Sequence, residues 1–152
     1  MKRTVFAIVA LLLLIPAVLI NTRAADSTPE TGSIYFEDGS YIKVEIFSTD
    51  LRETGRKIGH KDYTYYNSDG EEKWRATLTG SFTYTGTSAV CTSSSCSVSI
   101  SDSDWSVESK AADRSGNAAI AKLIMKWTQF GATTERSEVN MRLTCDENGN
   151  LS

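Results

Sequence analysis

His60 is the sole histidine of this 152-residue chain, so any Ser-His-Asp arrangement would have to use it. It sits in Lys57-Ile58-Gly59-His60-Lys61-Asp62, a charge-rich stretch read as a solvated loop, and no G-x-S-x-G elbow occurs to present a serine. Carboxylates are more plentiful. Glu37, Asp38, Glu45, Asp102, Asp104 and Glu108 could supply a pair for glycoside hydrolysis, which needs one acid of raised pKa beside a second carboxylate in a cleft. Nearly all of them fall at expected turns or on strand faces that meet water. Asp146-Glu147-Asn148-Gly149-Asn150 has the oxygen-rich look of a calcium loop, as does Asp102-Ser103-Asp104 more faintly. The EF-hand pattern requires a bidentate Glu at its twelfth position, which the residues up to Ser152 do not reach, so a frayed polar terminus is expected. Three cysteines and one distant histidine match no common zinc spacing, and the residues call for no metal or other cofactor.

The aromatic residues are the other chemistry-bearing set. Trp74, Trp105 and Trp127, with Tyr63, Tyr65 and Tyr66, could form a stacking surface for sugars or a peptide, because flat rings offer large contact area at small entropic cost. Trp74 and Trp127 lie in register with apolar neighbours, which places them in the core. Tyr63 and Tyr65 share one strand face while Tyr66 shares the other with Thr64, so at least one tyrosine reaches solvent. These three tyrosines are the candidate binding surface.

The elements that must position these groups are written in period two. In Trp74 to Tyr84, Trp74, Ala76, Leu78, Gly80, Phe82 and Tyr84 alternate with Arg75, Thr77, Thr79, Ser81 and Thr83, a pattern that a strand places on one face and a helix would scatter. The same alternation recurs around Val98 and Ile100 and from Val139 to Cys145. Turn signals separate the runs: Asp38-Gly39 between Ser33-Phe36 and Ser40-Phe47, Asn67-Ser68-Asp69-Gly70 after Tyr63-Tyr66, Ser115-Gly116-Asn117, and Phe130-Gly131. Ala111-Arg114 and Ala118-Leu123 have helix-favouring composition. Alternation of Ala119, Ala121, Leu123, Met125 and Trp127 with Lys122 and Lys126 nevertheless predicts a strand over Ala118-Trp127. Ile120 and Ile124 lie opposite that set, so this strand is expected to be central and covered on both sides. The expected fold is all-β, an antiparallel sandwich or small barrel of about eight strands joined mostly by hairpins, preceded by a signal peptide.

That signal is Met1 to Ala24. Lys2 and Arg3 precede an uncharged apolar run from Thr4 to Ile20, and small side chains at Thr22 and Ala24 suit a signal peptidase. The run is at the lower limit for spanning a membrane and Pro16 interrupts it, so cleavage is expected over retention as an anchor. The organisation expected is therefore signal peptide 1–24, a short linker 25–32 and a single β-domain 33–152, on a secreted chain of 128 residues. Losing Lys2, Arg3 and Arg23 from 16 basic residues leaves 13 against 19 acidic ones, a net of −6. Such a balance argues against nucleic acid or anionic membrane as partner, since both are held by clustered Lys and Arg.

Cys91, Cys96 and Cys145 allow one internal bridge and one spare thiol in an oxidising compartment. A Cys91–Cys96 bridge would close a local hairpin, whereas Cys91–Cys145 closes a far longer loop and would give on the order of 4 kcal/mol in the entropy model. Chain entropy favours the long bridge, geometry decides, and Cys96–Cys145 is the third pairing.

One ordered string carries a resemblance. It runs through Tyr65-Tyr66-Asn67-Ser68-Asp69-Gly70, Trp74, Leu78-Thr79-Gly80-Ser81-Phe82-Thr83-Tyr84-Thr85-Gly86 and Cys91, then Ser115-Gly116-Asn117, Leu143-Thr144-Cys145 and Asn150-Leu151-Ser152. From about Tyr63 to Ser152 the chain resembles a group of small exported proteins of Firmicutes, many from gut bacteria, of uncharacterised function. The resemblance implies export, a compact β-fold, recurrence of the residues matching Cys91 and Cys145, and a more variable Cys96. It implies no catalytic residue.

The sequence therefore favours a secreted, non-enzymatic binding or interaction module acting on an extracellular protein or glycan. The contrasting readings are a small secreted hydrolase using paired carboxylates or His60, and an antibacterial effector.

Overall fold

Strict alternation of apolar and polar side chains leaves an extended chain with one wet and one dry face, and two such sheets can bury their dry faces only against each other. The computed structural model describes residues 21–25, 31–50 and 55–152. It is all-β, with eight antiparallel strands in two sheets that do not close into a barrel. The first sheet is a five-stranded meander of β2 (Gly32–Tyr35), β3 (Tyr41–Asp50), β4 (Arg56–Tyr66), β5 (Glu72–Tyr84) and β6 (Ala89–Ile100). The second is the meander β7 (Trp105–Ser115), β8 (Ala118–Gln129) and β9 (Ala132–Thr144). A further short strand, β1 (Asn21–Ala25), lies parallel to β9 along its outer edge. Residues 1–20 of the expected signal peptide lie outside the described residues, as do 26–30 of the expected linker.

The core is the meeting of the two dry faces. Ile42, Val44, Tyr63, Trp74, Leu78 and Phe82 from the five-stranded sheet are buried against Ala119, Leu123, Met125, Val139, Met141 and Leu143 from the other. Gly80 marks the closest approach: a Cβ there would come within 2.6 Å of the Phe82 ring and 2.9 Å of the Ala119 methyl group. Ala118-Trp127 is a strand as the alternation predicts, and it is the central one of its antiparallel trio. Its outer face differs from expectation. Ile120 and Ile124 are half-buried there by neighbouring side chains of β7 and β9, with no third layer above them among the described residues.

Two expectations are corrected. Lys57-Asp62 is not a loop: it is the first half of β4, paired residue for residue with both β3 and β5. Two full ladders of backbone hydrogen bonds outweigh the charge of the stretch, and Lys61 lies buried on the inner face. The terminus does not fray either. Leu151 bridges back to Cys145, and Ser152 and Thr144 exchange backbone hydrogen bonds of 3.1 and 2.8 Å.

In a meander successive connections alternate between the two ends of the sheet, and this sorts the connections among the described residues. At one end lie the β5–β6 and β7–β8 turns and the C-terminal tail. The tail seals this closed end: Gly86 N–H donates to Glu147 O at 2.8 Å, Lys57 Nζ to Gly149 O at 2.6 Å, and Leu151 packs against Gly59. At the other, open end lie the β2–β3, β4–β5, β6–β7 and β8–β9 connections.

Candidate functional site

Three of the four connections at the open end are held by a short polar side chain that accepts from its own backbone. Asp38 Oδ1 accepts from the amide and hydroxyl of Ser40 at 3.1 and 2.7 Å. Asn67 Oδ1 accepts from the amides of Asp69 and Glu71 at 3.1 and 2.8 Å, and Asp102 Oδ1 from the Asp104 amide at 3.0 Å. These side chains fix tight turns where a β-ladder cannot continue. The β8–β9 hairpin is joined to the β6–β7 connection at its base, where Thr128 N–H donates to Asp104 O at 2.9 Å.

Between these connections opens a cleft of about 290 Å³. Tyr65, Trp105 and Trp127 form its apolar lining, and Asp38, Asp102, Asp104 and Glu135 its acidic one. The aromatic part continues inward as a cluster: Tyr65 stacks on Trp74 with ring centroids 5.5 Å apart and tilts against Trp105 at 5.2 Å, with Phe36 at 6.5 Å. Lys73 is the cleft's ammonium, set between Glu71 at 2.9 Å and Asp102 at 3.1 Å. The Asp104 backbone N–H, and then the Lys73 ammonium, hold the Asp102 carboxyl below the usual carboxylate range, against an opposing push from burial. That direction is opposite to the one a general acid needs. What the cleft offers is flat rings beside fixed hydrogen-bond acceptors, a combination suited to holding a ligand.

The predicted site residues divide. Of the candidate tyrosines, Tyr65 alone borders the cleft, and it is itself buried in the core at 4% exposure, not on the surface. Tyr63 is fully buried in the core, and Tyr66 lies on the outer sheet face, stacked on Tyr41 with centroids 4.9 Å apart. His60 is on that outer face too, stacked on Phe47 at 4.9 Å and within 3.0 Å of the Thr79 hydroxyl through Nδ1. Glu45 pairs there with Lys43 at 2.9 Å, and Glu108 is engaged by Arg136 through two contacts of 2.7 and 2.8 Å on the other sheet. Of the carboxylates singled out from sequence, Asp38, Asp102 and Asp104 meet in the cleft, whereas Glu37, Glu45 and Glu108 do not line it. Sequence reasoning missed Lys73 and Glu135 and assigned Trp127 wholly to the core, although it is half-buried and forms a cleft wall. The available signal was topological, since residues flanking alternate turns of a meander gather at one end. Asp146 holds its own turn, accepting from the Asn148 and Asn150 amides at 2.9 and 2.7 Å. Among the described residues no group of three His, Cys, Asp or Glu side chains is arranged to hold a metal ion.

All three cysteines are free thiols in the structure. Cys91 and Cys145 come together at the closed end, their amides donating to successive carbonyls of the β7–β8 turn, Gly116 O at 2.9 Å and Asn117 O at 3.1 Å. Cys96 is elsewhere, opposite Leu78 in the middle of β6. Burial raises the thiol pKa of all three.

No protein-family model, no curated protein and no solved structure matches this chain. Function is therefore argued from the cleft itself.

Proposed function

We propose that this protein is a secreted, non-enzymatic binding module that takes an extracellular protein or glycan in its open-end cleft. The observation that carries this reading is a concavity walled by the half-buried Trp127, with the buried Tyr65 and Trp105 behind it and four carboxylates in its lining. Rings supply contact area at low entropic cost, and turn-fixed acceptors supply orientation, which is the usual division of labour in a binding site. Export is supported by the basic start and apolar run from Lys2 to Ile20; cleavage after Ala24 would take all of β1 but Ala25, leaving β9 paired with β8. In an oxidising compartment the Cys91 and Cys145 thiols would be joined across the closed end, leaving Cys96 unpaired.

Titration of the purified chain with panels of glycans and peptides, read by tryptophan fluorescence, tests the site. A saturable change weakened at least tenfold in Trp127→Ala, with the fold intact by far-UV circular dichroism, is expected. A panel that produces no saturable change would remove the reading.

A further inference from the structure

The hairpin beside the cleft ends in a residue that is unfavourable on two counts. Phe130 is 100% exposed, and its φ of 51° lies in the left-handed region. With Gly131 at φ 79° it forms the centre of the β8–β9 turn, where two successive positive φ angles favour Asn-Gly. A bulky side chain is poorly suited to that backbone, and a bare phenyl ring is poorly suited to water. Asparagine would relieve both, and a ring exposed in full contributes nothing to the core.

The position of the tip gives the ring a use. Trp127 and Glu135 pair across the base of the same hairpin and line the cleft, so whatever touches Phe130 stands at the cleft mouth. Asp38, Asp102, Asp104 and Glu135 line the cleft; Lys73 is held by Asp102 and Glu71, Asp38 accepts from Ser40, and Asp104 is exposed. Resting on the binding reading above, we propose that the open end docks on a protein surface offering an apolar socket to Phe130 beside a lysine or arginine side chain. The cationic group enters the cleft, where Asp104 neutralises it and the ring of the half-buried Trp127 attracts it. A glycan lacks an apolar socket for a phenyl ring. An anionic membrane would accept the ring, but the carboxylates beside it repel the surface.

Phe130→Asn separates a structural ring from a docking ring, because the two predict opposite changes. In chemical denaturation the midpoint should rise, as Asn suits the turn better than Phe. The parent chain is then tested on immobilised octapeptides in which Leu or Ile adjoins Lys or Arg, with acid-flanked and neutral versions alongside, and on a glycan panel. Binding to the basic-apolar set is expected, weakened at least tenfold by Phe130→Asn and by Asp104→Asn, and reduced by added salt. A lower midpoint for Phe130→Asn would make the ring structural and overturn the proposal. Glycan binding alone, unchanged by Phe130→Asn, would overturn it while leaving the cleft reading standing; binding to neither set would remove both. Self-association of the parent that disappears in Phe130→Asn would replace the basic partner with a second copy of the chain.

Discussion

At the closed end the chain spends its last seven residues covering the turns, and backbone donors there meet backbone acceptors: Gly86 to Glu147, Cys91 to Gly116, Cys145 to Asn117. At the open end four connections of the same kind remain uncovered, and the half-buried Trp127 walls a cleft against the core rings Tyr65 and Trp105. The polar groups differ accordingly. Asp146 closes a turn by accepting from three atoms of Asn148 and Asn150, whereas Asp102, Asp104 and Glu135 stand around a concavity. The lesson is that an acidic loop is not a site by composition. Asp146-Glu147-Asn148 looks richer in ligands than any segment of the open end, yet the turn geometry uses up the Asp146 oxygens.

The largest effect is expected at the closed end. Oxidation should join Cys91 to Cys145, and reducing that bridge, or Cys145→Ser, should cost on the order of 4 kcal/mol in denaturant unfolding. Peptide mapping without reductant that finds Cys96 in the bridge would contradict the placement of the pair. Because burial raises both thiol pKa values, bridge formation should accelerate as pH rises, since the thiolate is the reacting form.

Gly149→Val should come next. Its φ is 85°, and a Cβ there would lie 2.6 Å from the Tyr84 ring, so backbone strain and overpacking add to about 2–4 kcal/mol. Ligand affinity of the folded fraction should be unchanged, because Gly149 is at the far end from the cleft; a parallel loss of affinity would show that the ends are coupled.

Acid tests both ends together with smaller effects. Asn150 and its backbone hold Asp146 below the usual carboxylate range, as the Asp104 amide and Lys73 hold Asp102. A depressed folded value means that each carboxylate stabilises the native state above the ordinary aspartate pKa of about 3.9, and that this contribution is lost as pH falls through the folded value. Asp102→Asn and Asp146→Asn should each flatten part of the decline in unfolding midpoint below about pH 4. A variant that tracks the parent throughout would show its carboxylate uncoupled from folding. Smallest in stability is Asp104→Asn in the cleft lining, an exposed position expected within about 0.5 kcal/mol of the parent while ligand affinity falls. An equal loss of both would make Asp104 a structural residue.

The strands were legible because alternation is local: Trp74 to Tyr84 and Ala118 to Trp127 declare an inner face residue by residue, and Trp74 is buried as its register requires. The first half of β4 was not, since its inward Lys61 and its glycine at 59 break the apolar pattern that pairing to two neighbours overrides. The cleft was legible only in fragments. Asp38, Tyr65, Asp102 and Asp104 could each be named, but their convergence depends on which turns share an end, and that is a property of topology. Tyr63 and Tyr65 both failed as surface candidates, because the strand face they share is the dry one. The same face that carries Tyr65 to the open end carries Tyr63 into the middle of the core, where its hydroxyl reaches the Arg142 amide at 3.5 Å.

The order in which strands pair also has a kinetic side. Every antiparallel pair in both sheets joins neighbours along the chain, so each closes a short loop and can zip hairpin by hairpin. The latch from Lys57 to Gly149 instead bridges 92 residues and requires both sheets to be in place. The end of the molecule that is most firmly shut is thus the one expected to shut last.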